Sequence, residues 1–270
     1  MRPSPYQKLL ALDMDGTLLL PGNQSIGEET LKVLKELIKD GVLIVIASGR
    51  PYRSMVPFYN QIGCQGPMII YNGMAIVSNN DPDFPERAYS FKKEEIREYY
   101  SSIKGHIKGA AAENEDKLFV TRPDEYLDTF FPRKGMEQIV GPLDQTVDDD
   151  VFTFIVSLDE EEVPFVMAQS EKYQNMVFRR WRSVPVAELF YKGADKGHAL
   201  EYIAAQYGID RENIYAFGDS ENDREMLLFA GHPYVMNNAT SESLKSSFPV
   251  TEKGNADEGV ASTLKKIFDL

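Results

Sequence analysis

The chain has 270 residues with 29 basic against 42 acidic side chains, a formal net charge of −13. That balance excludes nucleic acid, whose phosphates call for clustered cations, and attachment to anionic lipid through a basic surface. Hydrophobic content of 43% and charged content of 26% belong to a globular chain rather than a disordered one, long enough for one large domain or two.

From the N-terminus, Leu9–Leu12 is an apolar run stopped by Asp13, too short for a signal-peptide core. It reads instead as a buried parallel strand whose carboxyl end carries polar groups. Ser25 and Glu28 have the spacing of a capping box, and Leu31, Leu34, Leu37 and Ile38 recur at helical period until Gly41. Val42–Ala47 is a second strand, ended by Ser48-Gly49-Arg50; Pro51 opens a helix that closes near Gly63, and Met68–Tyr71 is a third strand. Strands and helices alternating at this spacing predict parallel crossovers in a doubly wound sheet.

From Ser78 the texture changes. Asn79–Asp83 is turn chemistry, and short strands at Lys117–Thr121 and Val151–Leu158 follow, mixed with helices at Lys92–Lys104 and Glu162–Tyr173. The acidic run from Asp144 to Glu162 reads as a solvated face. Beyond Lys192 the first texture returns, with helices at Asp195–Gly208, Glu221–Ala230 and Glu258–Phe268 and strands at Asn213–Phe217 and Tyr234–Met236. The expected fold is therefore α/β, a doubly wound, Rossmann-like parallel-sheet core of residues 1–78 and 191–270. An α+β domain of residues 79–190 with an antiparallel sheet interrupts it. No run approaches the about 20 apolar residues of a membrane span. The single cysteine, Cys64, can form no internal disulfide and suits a reducing, cytoplasmic compartment, as a small buried filler.

Ligands of open parallel sheets sit outside the carboxyl ends of the strands. Those ends carry Asp13, Met14, Asp15, Gly16 and Thr17 after the first strand, Ser48, Gly49 and Arg50 after the second, and Gly218, Asp219, Ser220, Asn222 and Asp223 after a late one. Lys196 opens the helix before that late strand. Converging carboxylates repel unless a cation joins them, and oxygen-only ligands select a hard divalent ion, best Mg²⁺. A metal and a lysine would also reverse the sign locally, so that an acidic protein can receive an anion. A carboxylate beside Mg²⁺ is a competent nucleophile toward phosphorus, and a second one two residues on can protonate a leaving alcohol. The Gly16 backbone can approach a phosphate closely, and Ser48 can donate to a phosphoryl oxygen.

Asp13-Met14-Asp15-Gly16-Thr17 resembles the first motif of haloacid dehalogenase-like phosphatases. Ser48 stands where their second motif has Thr or Ser, Lys196 resembles the third motif, and Gly218–Asp223 the fourth. Tyr71-Asn72-Gly73, Asn238-Ala239 and Asp257–Ala261 resemble the Cof-type subfamily in particular. The resemblance implies an inserted α/β cap that supplies specificity. It makes Asp13 the nucleophile and a Mg²⁺ ligand, and Asp15 the general acid/base, with its backbone carbonyl on the metal. Asp219 becomes a further ligand, with Asp223 nearby. Ser48, Lys196 and Asn222 would hold the phosphoryl group, helped by backbone amides near Met14, Gly16 and Gly49. Lys192 would sit in the hinge.

Each residue also has a plainer reading. Asp13 and Asp15 alone fit a strand end and an Asp-Gly turn, Ser48 a helix cap, and Asp223 the first turn of its helix, evenly balanced against a metal role. Arg179-Arg180-Trp181-Arg182 fits a strand with alternate exposed arginines better than a substrate contact, and the three histidines have no ligand spacing. The expected function is a Mg²⁺-dependent phosphatase of small phosphorylated metabolites. A sugar phosphomutase, a phospho-accepting receiver and a silent sugar-phosphate binder are the alternatives; a receiver is too short and has no insertion. Neither the substrate nor the oligomeric state is legible.

Overall fold

The computed structural model describes residues 5–22, 24–130, 136–181 and 184–270. The first stretch forms β1 (Lys8–Asp13), α1 (Glu28–Lys39), β2 (Val42–Ala47), α2 (Tyr52–Ile62), β3 (Met68–Ile70) and β4 (Ala75–Val77), then the two-residue β5 (Arg87–Ala88). β1 and β2 pair in parallel from Lys8↔Val42 to Asp13↔Ala47. All six residues of β2 are buried, as a central strand covered on both faces requires. α1 turns Thr30, Val33, Leu34 and Leu37 inward, and Gly41 follows it in the left-handed region at φ 78°.

The expected capping box does not form. Gly27 is the N-cap, and no local side chain bonds to the first turn of α1. Glu258, from the far end of the chain, accepts instead from the Thr30 amide at 2.7 Å and the Thr30 hydroxyl at 2.9 Å. α2 begins after Pro51, which serves as its N-cap, so Ser48 caps no helix.

The inserted stretch contributes α3 (Lys93–Ile103), β6 (Gly109–Glu113), β7 (Lys117–Val120), α4 (Glu125–Phe130), β8 (Glu137–Val140), α5 (Leu143–Thr146), β9 (Thr153–Ser157), α6 (Val163–Ser170), β10 (Met176–Arg180) and β11 (Val186–Tyr191). Its sheet has the order β10-β11-β9-β6-β7-β8, antiparallel except where β8 lies parallel to β7. Tyr99 of α3 meets Phe154 edge-on and donates its hydroxyl to the Val166 carbonyl at 3.0 Å, tying α3 to both β9 and α6. The acidic run is not one solvated face, because the buried β9 runs through it, and its carboxylates on either side of that strand are partly or fully exposed but not bare. Asp144, Asp148, Asp150 and Asp159 pair with Lys104, Lys117, Lys92 and Lys108, and Glu160 with Arg180. Arg179 pairs with Glu188, which also accepts from the Trp181 indole; Arg182 lies outside the described residues.

The chain then forms α7 (Lys196–Tyr207), β12 (Ile214–Gly218), α8 (Arg224–Phe229), β13 (His232–Val235), α9 (Glu242–Ser247) and α10 (Gly259–Phe268). The core sheet runs β13-β12-β1-β2-β3-β4-β5, with parallel pairing from β13 to β3 and β1 in the middle of those five strands. β4 turns back antiparallel to β3, and β5 lies beside it. The first core segment therefore runs on to Arg87 rather than closing at residue 78. On the return, β11 keeps the chain in the inserted sheet to Tyr191, and the core resumes at Ala194 rather than 191. The inserted unit is Ala88–Gly193. Cys64 is buried and unpaired, and burial pushes its thiol pKa up.

Candidate active site

Four side chains from three elements meet at the carboxyl edge of the core sheet. Asp13 ends β1 and is 4% exposed; Lys196, at the start of α7, has no exposure, and Asp223, just before α8, has none either. The Lys196 ammonium donates to Asp13 Oδ1 at 2.5 Å and to Asp223 Oδ1 at 2.6 Å. Asp195 places it there by N-capping α7, its side chain accepting from the His198 amide. The other oxygen of Asp223 accepts from the amides of Asp219 and Ser220, both at 3.0 Å. Asp223 thus braces its own first turn with one oxygen and the lysine with the other.

Asp219 completes the group. Asp13, Asp219 and Asp223 each offer a carboxylate oxygen, all within 4.8 Å of one another. Burial first, then the Asp223 charge, raises the Asp13 pKa well above the carboxylate range against the opposing pull of Lys196. The same two causes push Asp219 to about 6. Burial opposes the charge on Lys196, but Asp13 and Asp223 outweigh it and hold the ammonium protonated. Gly16 packs against this group at φ 83°, where a Cβ would stand 2.5 Å from Asp219 Oδ2; only glycine fits.

The remaining motif residues form a neighbouring arc. Asp15 does not join the three carboxylates; both its oxygens are held by Arg50, at 2.8 Å from Nε and 2.5 Å from Nη2. The Ser48 hydroxyl, 1% exposed as a residue, accepts from the Arg50 amide at 3.1 Å. Asn222 donates to the Asn72 side chain at 2.9 Å, and a Cβ on Gly49 would lie 3.0 Å from that same Asn72 amide. Met14 has a buried side chain, so only its backbone is available; its carbonyl accepts from the Leu19 amide. Sequence reasoning gave Arg50 no role and named Asn72 only within the Tyr71-Asn72-Gly73 motif and as the start of a hinge, not as a site residue. Asn72 has a legible signal, an asparagine in the left-handed region (φ 56°) just past a core strand, where it tolerates the turn. Asn238 fastens the Gly16 carbonyl at 2.7 Å, and Thr17 reaches Asp219 at 3.4 Å.

These residues suit a divalent cation. Among the described residues Asp13 Oδ2 is buried with no hydrogen-bond partner, and one lysine faces three carboxylates whose donors are all oxygen. An unpartnered buried carboxylate oxygen is costly, and a hard cation satisfies it.

Residues 10–264 match the haloacid dehalogenase-like hydrolase family. The chain is 32% identical, over the full length of both proteins, to the 5-amino-6-(5-phospho-D-ribitylamino)uracil phosphatase YitU of Bacillus subtilis. It is 28% identical to the HMP-PP phosphatase of Serratia proteamaculans, covering 90% of this chain and 88% of that one. Among solved structures, a haloacid dehalogenase-like hydrolase from Bacteroides thetaiotaomicron superimposes with a TM-score of 0.80 at 25% identity, covering 97% of this chain and 100% of that one. With the motifs in order along the chain and their side chains gathered at one sheet edge, the protein belongs to the haloacid dehalogenase-like hydrolase family.

Proposed function

We propose that the protein is a Mg²⁺-dependent phosphatase of small phosphorylated metabolites that works through an aspartyl-phosphate on Asp13. The observation that carries this reading is the buried Asp13, with Lys196 on one oxygen and, among the described residues, no hydrogen-bond partner on the other. A carboxylate so placed has one oxygen oriented and one lone pair open for attack on phosphorus. Asp13 Oδ2 forms the bond to phosphorus as the bond to the leaving oxygen breaks, and Asp15 gives that oxygen its proton. Asp15 then takes a proton from the water that attacks the phosphoryl group, releasing phosphate and restoring Asp13. Lys196, Ser48 and Asn222, with amides near Met14, Gly16 and Gly49, hold the phosphoryl oxygens.

Asp13, Asp219 and the Asp15 carbonyl would hold Mg²⁺, with Asp223 nearby, and the bound ion would neutralise charge between the carboxylates and the incoming phosphate. The inserted unit, Ala88–Gly193, acts as the cap that selects the organic part of the substrate. The full-length likeness to a phosphoribitylaminouracil phosphatase makes a phosphorylated polyol the first substrate class to try.

The test is phosphate release from an aryl phosphate and from a panel of sugar, polyol and nucleotide phosphates, with and without Mg²⁺. Turnover that needs the metal and falls below a few per cent in Asp13→Asn, with an unchanged circular dichroism spectrum, is the expected result. Retained turnover in that variant would remove Asp13 from the nucleophile role. Phosphate that stays on the sugar, moved to another hydroxyl, would mark a mutase instead.

A further inference from the structure

The clasp between Arg50 and Asp15 is at odds with the work assigned to Asp15. A carboxyl group that passes a proton needs a free oxygen, and here both oxygens accept from one guanidinium, at 2.8 and 2.5 Å. The pair is forked and charge-assisted, among the stronger arrangements a carboxylate can enter. It is only partly shielded: the side chains are 24% exposed for Arg50 and 38% for Asp15, so an incoming ligand can reach them.

The backbone of Arg50, by contrast, is fastened on both sides. Its amide donates to the Ser48 hydroxyl at 3.1 Å, and its carbonyl accepts from the Tyr71 amide at 3.1 Å. Ser48 in turn accepts at its carbonyl from the Asn72 amide at 2.9 Å, and Asn72 holds Asn222. The guanidinium therefore hangs from a fixed point in the arc that surrounds the carboxylates, 5.8 Å from the centre of the Phe58 ring. Its fork fits a phosphoryl group as well as it fits a carboxylate, and a dianion competes better than a monoanion for the same cation.

We propose that Arg50 is an exchange latch: it holds Asp15 at rest and passes to the phosphoryl group of the entering substrate, which releases Asp15 for proton transfer. The inference rests on reading the site as one for phosphoryl transfer. It makes Arg50 a phosphate-binding residue and a positioning residue for Asp15, and it couples occupancy of the site to the freeing of the acid. In the empty protein Asp15 stays engaged.

Competition for one guanidinium has a consequence that needs no turnover. Phosphate must displace Asp15, so removing the competing charge strengthens phosphate binding, while removing the guanidinium weakens it. Inorganic phosphate titrated calorimetrically in the presence of Mg²⁺ into wild type, Asp15→Asn and Arg50→Ala reads this directly. Expected are dissociation constants at least threefold lower for Asp15→Asn and at least tenfold higher for Arg50→Ala, with the latter partly restored by added guanidinium ion. In turnover, Arg50→Ala should raise KM on alkyl and aryl phosphates alike while kcat moves less than threefold. Phosphate binding unchanged in either variant would overturn the latch. So would a kcat loss confined to alkyl phosphates at constant KM, which would mean that Arg50 aims Asp15 rather than releasing it. If no phosphate ester is turned over but the two binding shifts appear, the latch stands and the phosphatase reading falls.

Discussion

Lys196 shows how much of the site depends on single side chains. Its ammonium is fully buried between Asp13 and Asp223, and nothing else among the described residues donates to Asp13 Oδ1. Removing one member of a buried, paired group leaves charge uncompensated, which costs about 3–5 kcal/mol. Lys196→Met should therefore lower the free energy of unfolding in urea by that amount. The double variant with Asp13→Asn should recover part of the loss, since one of the repelling carboxylates is gone. Strict additivity of the two would show that the lysine and Asp13 are not coupled. At this scale the sequence was informative, because short motifs singled out Asp13, Lys196, Asp219 and Asp223, side chains that the fold brings together. It was silent on partners. That Asp15 faces Arg50 rather than the other carboxylates depends on side-chain directions that spacing does not encode.

Elements were legible where one strand or helix carried its own pattern, and illegible where the signal came from far along the chain. β1, β2 and α7 announced themselves by apolar runs and caps. β6, written Gly-Ala-Ala-Ala-Glu, has neither branched residues nor alternation, and only its pairing with β7 and β9 makes it a strand. α1 takes its cap from Glu258, which no local rule could find. Glu258→Ala should cost about 1 kcal/mol, the ordinary worth of an N-terminal cap, seen as a lower urea midpoint at unchanged m; no change would mean that water replaces it. A second junction fixes the pH response. Glu221 is held at about pKa 2 by Arg224, against partial burial, with help from the hydroxyls of Ser241 and Ser243. Its folded pKa lies below the unfolded value of about 4.3, so its stabilisation is complete above that value and disappears as pH falls toward about 2. Glu221→Gln should destabilise by about 1–2 kcal/mol at pH 7 and flatten the acid limb of the stability curve between those limits. An acid limb as steep as wild type would assign the slope to other carboxylates.

Across the whole molecule, the net charge of −13 is distributed in two ways. In the inserted unit, the acidic run is answered by surface lysines; in the core, buried carboxylates gather around one lysine and leave an oxygen of Asp13 unpartnered. The first arrangement is a screened surface worth little per pair, and the second is a site with charge still to be neutralised. The two units also have separate interiors, one built on β1, β2 and β12 with α7 and α8, the other on β6, β7, β9 and β11. None of the described helices is long and apolar enough to cross a membrane. A ligand that binds only the native core stabilises it by mass action, about 2.7 kcal/mol at a hundredfold excess over its dissociation constant. Saturating Mg²⁺ should accordingly slow amide hydrogen exchange in β1, β12 and the first turns of α7 and α8, while β6, β7 and β9 exchange at the rate of the metal-free protein. Protection should vanish in Asp13→Asn combined with Asp219→Asn, which removes two of the three carboxylates. Protection centred on the acidic run of the inserted unit would place the cation on the surface and defeat the assignment of the buried group.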